Sequence, residues 1–400
     1  MKSLRWIVLT VMTCVLASCQ TPTVSEAKVE ANQKWLRTRA QMQYNVAQDY
    51  LKAGQLDKAK AKVTEALSLD PEYPDARVLL AKVQIGEGQY TSAARELERV
   101  CLKVPTLPTP FYLLGVAQER DGKLEEALGS YQKALALDNT SVPAVLGIAE
   151  VLVAMGRVQD AQSHVESYMS IGADDAGMQE MAGRLAMLLK QYDKAAASFQ
   201  QARDLDVKNM LYVEALARAQ FLAGKYADAA ESLRTLMSVK DRKVAQWMHT
   251  MLGDCYVTLN RLYEARDQYQ QVTEMSPKDA EAWTNLAKAA MKLGDSARGA
   301  LAAQQALQLD STNLDATLTL GYCLLGRGQY KQAQTVLKRA CTAHPDSALL
   351  WCVLGRAHAA GGNNEEAAKC YSAALQIQPD SQVARELLNA ATAKKVSLAN

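Results

Sequence analysis

AEAWTNLAKAAMKLGDSARGALAAQQALQLDSTN, residues 280–313, carries two small residues, Ala287 and Gly299, twelve positions apart, with Gly294 between them. Stepping outward from Gly299 by 34 residues reaches Ala333 and Ala367 on one side and Ala265 on the other. After a two-residue slip the same step runs back through Ala229, Ala195, Ala161, Ala127, Ala93 and Ala59. Ala287 belongs to a second series, each member twelve residues upstream of its counterpart: Ala47, Ala81, Gly115, Ala149, Gly183, Ala217, Gly253, Ala287, Gly321 and Gly355. Ten units thus bear the same two marks, and chain length here counts repeats rather than separate cores.

The residue before each upstream mark forms an apolar stripe: Val46, Leu80, Leu114, Ile148, Ala182, Leu216, Leu252, Leu286, Leu320 and Leu354. Small residues let two helices approach while larger neighbours fill the groove between ridges, so each unit is expected to be an antiparallel helix pair, A then B. Gly54, Gly88, Gly122, Gly156, Gly224, Gly294, Gly328 and Gly362 fall between the two helices, where a left-handed residue ends the first; Lys190 and Asn260 stand at that place in the other two units. Pro71, Pro105, Pro277, Pro345 and Pro379 stop helix B in five units. Asn139, Ala173, Val207, Asp241 and Ser311 replace them elsewhere, which leaves those helix ends less defined, and Tyr168 and Leu236 stand where a small residue usually closes helix B. The two-residue insertion falls within residues 237–244.

These residues at this period resemble the tetratricopeptide repeat, whose pattern runs Trp, then Leu-Gly, Tyr, Ala, an aromatic and Pro. Trp283-Thr284-Asn285-Leu286-Ala287 and Trp351-Cys352-Val353-Leu354-Gly355 match its opening. The resemblance implies an all-α superhelical solenoid of ten repeats: 40–73, 74–107, 108–141, 142–175, 176–209, 210–245, 246–279, 280–313, 314–347 and 348–381. Residues 382–400 are expected to form a capping helix and tail that close the last apolar face.

The composition agrees with an all-helical chain: three Phe and ten Pro among 400 residues leave little material for strands. Lys plus Arg is 45 and Asp plus Glu 43, and without Lys2 and Arg5 the charges balance. Nucleic-acid and polybasic membrane binders show a basic excess, so neither is expected.

Lys2 and Arg5 precede an eleven-residue apolar run, Trp6 to Leu16, and small residues follow it, the pattern of a secretory signal over residues 1–18. The run falls short of the roughly twenty residues that a membrane-spanning helix needs. Leu16-Ala17-Ser18-Cys19 resembles the lipobox of bacterial lipoproteins. The resemblance implies cleavage before Cys19 and its acylation, the several chains that stable membrane attachment requires. An ordinary cleavage site before Cys19 is the alternative. Gln20 rather than Asp after the Cys implies, by the enteric sorting rule, the outer membrane facing the periplasm. Residues 19–39 read as a lipidated Cys and polar tether leading into the first helix.

Tetratricopeptide proteins resemble one another in a concave face lined by helix A, where partner peptides or protein segments lie. Carried over by position, that face has two rows. One, four residues after each small residue of helix A, reads Leu51, Ile85, Glu119, Val153, Met187, Phe221, Val257, Met291, Leu325 and Ala359. It is either an apolar strip suited to a partner peptide or plain core. The other, one residue after the small one, reads Gln48, Lys82, Val116, Glu150, Arg184, Arg218, Asp254, Lys288, Tyr322 and Arg356. Five cations against two anions suggest a mildly basic, solvated floor, which Glu119, Glu180 and Glu214 nearby offset. With Tyr112, these rows supply the candidate partner-binding residues. The Asn-and-Lys clamp that captures C-terminal carboxylates in chaperone-associated members is not reproduced.

Gly86-Glu87-Gly88-Gln89 and Gly326-Arg327-Gly328-Gln329 fall at inter-helix turns and lack the strand-then-helix context of a phosphate loop. His164, His249, His344 and His358 stand singly, so no metal site is expected. Cys101 with Cys341, and Cys255 with Cys323, share repeat positions, as small packing residues would. An oxidising compartment permits a disulfide among Cys323, Cys341, Cys352 and Cys370. No catalytic residue, cofactor or small-molecule substrate is expected. The leading function is a noncatalytic scaffold of the bacterial cell envelope, serving assembly of a pilus, secretion or polysaccharide-export machine. The alternative is a glycan- or peptidoglycan-associated module, for which Tyr44, Tyr112, Trp247 and Tyr322 are sparse candidates.

Overall fold

The structure, a computed structural model, describes residues 24–240 and 243–397, with the side chains of 24, 26, 27 and 394–397 left aside. The signal, Cys19 and Asp241 lie outside the described residues. Among those described there are twenty-one helices and no strand. Internal packing divides the chain into two units, Met1–Leu189 and Lys190–Asn400.

In the first unit, Val24–Lys52 packs against Leu56–Leu69, and further pairs follow: Pro74–Gly86 with Tyr90–Lys103, Pro108–Arg120 with Leu124–Leu137, and Val142–Ala154 with Val158–Tyr168. Ala176–Leu188 closes it. In the second unit Tyr192–Leu205 precedes Met210–Leu222, which pairs with Tyr226–Met237, and pairs run on through Gln246–Thr258 with Leu262–Met275 and Ala280–Lys292 with Ser296–Leu309. Leu314–Gly326, Tyr330–Ala343, Ala348–Ala360, Asn364–Ile377 and Gln382–Ser397 complete it. Every residue of both small series is buried, and most of the alanines are wholly inaccessible, Ala47, Ala59, Ala81 and Ala93 among them. These are the points of closest helix approach.

Size is matched across those points. At three glycines of helix A, helix B sets a Tyr ring against the gap: a Cβ added at Gly115 would lie 2.6 Å from the Tyr131 ring, at Gly253 2.7 Å from Tyr269, and at Gly355 2.5 Å from Tyr371. Where helix A carries Ala81, the corresponding helix-B residue is the smaller Leu97, and both are buried. Tyr131 is held from both sides, since a Cβ at Gly147 of the following helix would come within 2.7 Å of it.

All ten inter-helix turn residues have positive φ, including Lys190 at 58° and Asn260 at 57°. Asn tolerates that region, whereas a Lys side chain costs about 1 kcal/mol there. Lys190→Gly is therefore expected to stabilise the protein by about 0.5–1 kcal/mol, less what Gly adds to unfolded-state entropy, and Asn260→Gly by less; urea midpoints at constant slope are the check.

In three units without Pro helix B still ends at the register of the others, at Leu137, Leu205 and Leu309, whereas in the fourth and sixth units it stops early, at Tyr168 and Met237. Asp138 and Asp310 take over the stop: the Oδ1 of each accepts the backbone N–H two residues on, at 3.1 Å from Thr140 and 2.9 Å from Thr312. Neighbouring pairs are latched where Pro is present. The Trp283 and Trp351 indoles donate to the Pro277 and Pro345 carbonyls at 2.9 and 3.0 Å, and the Arg385 guanidinium donates to the Pro379 carbonyl at 2.9 Å.

One expectation changes. The tether read from residue 21 to about 34 gives way, from Val24 on, to helix. Its Glu, Ala, Lys and Gln residues are strong helix formers, and they extend the first helix A backwards without a break. Cys323, Cys341 and Cys370 are buried free thiols and Cys352 is free and half-buried. At the other end Leu387, Leu388 and Ala391 pack on Ala367 and Tyr371, closing the stack.

Candidate binding face on helix A

Helix A turns its small residue into the pair, so the residue one step on faces away and the residue four steps on sits at the edge of the interface. Burial follows that geometry. All ten members of the fourth-residue row, from Leu51, Ile85 and Glu119 through Met187, Phe221, Met291 and Leu325 to Ala359, are half-buried. The row is neither plain core nor free surface: each side chain seals the helix interface with one side and shows the other to solvent. In the adjacent row Lys82, Glu150, Arg184, Arg218 and Arg356 are exposed, while Gln48, Asp254, Lys288 and Tyr322 are half-buried.

The basic floor expected from that row is largely neutralised. Arg184 pairs with Glu150 at 3.6 Å, Arg218 with Glu214 at 3.1 Å, and Lys288 with Asp315 at 2.5 Å. Of these counter-charges Glu150 belongs to the row itself and Glu214 was expected to offset it, while Asp315 comes from the following helix A. Arg218 also lies over the Trp247 ring at 4.0 Å and Arg356 over Tyr322 at 5.6 Å.

Within the second unit two grooves run along this face. One, of about 610 Å³, has Phe221, Trp247, Met251, Asp254, Tyr269 and Glu281 among its walls. The other, of about 380 Å³, is walled by Asp254, Tyr269, Lys288, Met291, Asp315 and Tyr322, among others. The grooves thus bring together Phe221, Asp254, Lys288, Met291 and Tyr322 of the candidates read from sequence. Arg218 and Leu325 lie along the same helices without lining either, and Arg356 lies one helix A further on. In the first unit Gln48, Leu51, Lys82, Ile85, Tyr112, Glu119, Glu150, Arg184 and Met187 follow the helix-A rows. There the Gln48 amide donates to the Tyr44 hydroxyl, and Tyr112 tilts against Tyr131 at 5.7 Å.

Tyr269 and Glu281 were not marked by either row. Tyr269 comes from helix B and reaches through to the face, donating its hydroxyl to Asp254 Oδ1 at 2.6 Å; Tyr131 reaches Glu119 Oε2 in the same way at 2.7 Å. The available signal was a helix-B Tyr four residues after the small residue, opposite a helix-A Gly with an acid nearby. Burial pushes the Asp254 carboxyl above the usual carboxylate range, and the Glu281 charge adds to this against the pull of the Tyr269 hydrogen bond. Burial also raises the Tyr269 hydroxyl, as does its bond to the carboxylate.

Among the described residues the buried thiols are held away from the thiolate form. Burial pushes Cys255 and Cys341 up to about 12 and Cys101, Cys323 and Cys370 up to about 11, where the thiolate is scarce at neutral pH. Among the described residues no three of His, Cys, Asp and Glu are grouped to hold a metal ion.

Family comparisons agree with this architecture. Tetratricopeptide-repeat models match residues 50–106 and 120–185, and a second such model matches 180–237. The cilia and flagella-associated protein 70 middle TPR-like domain matches 258–378. Superkiller complex protein 3 of Mus musculus is 26% identical over 270 residues, covering 64% of this chain and 17% of the relative. Cellulose synthase 2 operon protein C of Komagataeibacter xylinus is 26% identical over 341 residues, covering 79% of this chain and 24% of the relative. The chain therefore spans a quarter or less of these relatives' length. A solved thermophilic tetratricopeptide protein of Thermus thermophilus aligns at 19% identity and TM-score 0.39, over 45% of this chain and 98% of its own. The family models and relatives support the tetratricopeptide-repeat family, whose proteins generally mediate protein–protein interaction on a typically noncatalytic fold.

Proposed function

We propose that this chain is a noncatalytic scaffold of the bacterial cell envelope, gripping protein segments along helix A while a lipid on Cys19 holds it at the outer membrane. One observation carries the binding reading: the fourth-residue row is half-buried in all ten units and apolar in all but Glu119. Such a strip is rigidly held on one side and unsatisfied on the other, which suits an extended or helical partner. Wall residues come from packed helices, so the surface is pre-organised and little ordering cost falls on this side of the complex.

The machine served is an assembly system for a pilus, secretion or exported polysaccharide. The similarity to a cellulose synthase operon protein over most of this chain favours the polysaccharide member of that set. A glycan-binding module is the competing reading, and it needs free aromatic faces. Trp247 and Tyr322 already carry guanidinium groups on theirs.

Affinity capture from crosslinked envelopes separates the two. A discrete protein that is lost when Phe221 and Met291 are changed to Ser supports the scaffold; a retained saccharide without a protein contradicts it. For the anchor, metabolic labelling with a fatty-acid analogue is expected to mark the wild-type chain and to miss Cys19→Ser. Equal labelling removes the lipid. Among the described residues no helix is long and apolar enough to cross a membrane.

A further inference from the structure

The break in the 34-residue period falls between Met210–Leu222 and Gln246–Thr258, the helices that give the 610 Å³ groove its Phe221 and Trp247. The insertion thus coincides with a groove of distinctive chemistry. Three carboxylates, Asp254, Asp279 and Glu281, are among its lining residues, and no Lys, Arg or His is. Asp279 is engaged as a helix cap, accepting from the Glu281 and Ala282 backbone N–H groups and from the Gln246 amide. Asp254 is met by the neutral Tyr269 hydroxyl. Arg218, which lies over Trp247, is paired with Glu214. No cation of the lining answers the carboxylates.

We propose that this groove receives a lysine or arginine of an apolar partner segment, its charge between Asp254 and Glu281 and its apolar neighbours against Phe221, Trp247 and Met251. The inference rests on the scaffold reading and gives the partner a chemistry. A Lys or Arg stem packs along aromatic and Met surfaces while its head stays charged; Arg218 already lies over Trp247, so the attraction for the head comes from the carboxylates. A wholly apolar segment would cover Asp254 and Glu281 with no partner for either, a desolvation cost without return. An acidic segment would add like charge. The groove therefore selects as well as binds.

The test pans displayed random twelve-residue peptides against the immobilised full chain. Selected peptides are then titrated against wild type, Asp254→Asn with Glu281→Gln, and Phe221→Ser. Asn keeps an acceptor for the Tyr269 hydroxyl and Glu281 is exposed, so the neutralised variant keeps its fold, which circular dichroism and the melting curve verify. The expected result is apolar peptides bearing Lys or Arg, bound at least tenfold more weakly by the neutralised variant and also weakened by Phe221→Ser. Neutral or acidic peptides that bind the neutralised variant as well as wild type, yet lose affinity to Phe221→Ser, overturn the cation and leave the scaffold standing. Failure to select any peptide that senses Phe221 overturns the groove as a docking site, and the scaffold then stands or falls by the envelope capture.

Discussion

Gly115→Ala is expected to cost about 2 kcal/mol, although Gly to Ala within a helix normally gains about 1 kcal/mol. The new methyl would meet the Tyr131 ring at 2.6 Å, and the ring has no retreat because Gly147 borders it on its other side. Tyr131 is 1% exposed and its hydroxyl is tied to Glu119. Overpacking of this kind costs about 1–3 kcal/mol, and the two-sided clamp puts it at the upper end. In the Tyr131→Leu background the added methyl should cost nothing, since Gly115→Ala then copies the Ala81 and Leu97 combination of the preceding repeat. Urea denaturation of the four chains forms the cycle. A coupling near zero contradicts size matching across the pair. Because repeat arrays unfold in parts, hydrogen exchange in 108–141 should report the change locally.

Met291→Glu with Leu325→Glu is expected to weaken partner binding at least about a hundredfold while leaving the fold intact. Each removes part of the apolar row, and buried anchors of an interface are worth about 2 kcal/mol or more apiece. Two such losses exceed the roughly 2.7 kcal/mol that a hundredfold requires. The fold should survive because the row already admits a carboxylate in the third repeat, where Glu119 sits half-buried under the Tyr131 hydroxyl. Titration with the captured partner is the measurement. Unchanged affinity would place the partner elsewhere.

Most of the helix arrangement was legible because close helix approach forbids large side chains, so Ala and Gly mark the crossing points directly in sequence. The turns were legible for a similar reason, and Lys190 and Asn260 adopt the left-handed conformation of the glycines they replace. Three features escaped. The helix start at Val24 was hidden because polar helix formers read the same whether they make a tether or an exposed helix. The Asp138 and Asp310 stops were hidden behind the search for Pro. The acidic groove was hidden because its walls come from several helices and from Tyr269, a helix-B residue that no single helix-A row contains. The row reading placed Glu214 among the acids that offset the cations but did not name Asp315, which pairs with Lys288.

The most direct test of the central claim replaces single residues with a photo-crosslinking amino acid in living cells. Met291 and Leu325 represent the helix-A row, and exposed Leu301 and Lys338 on B helices serve as controls. Crosslinks to one protein from the row positions and none from the controls are the expected result. Equal crosslinking from both sets, or crosslinks from Leu301 and Lys338 alone, would contradict a partner held along helix A.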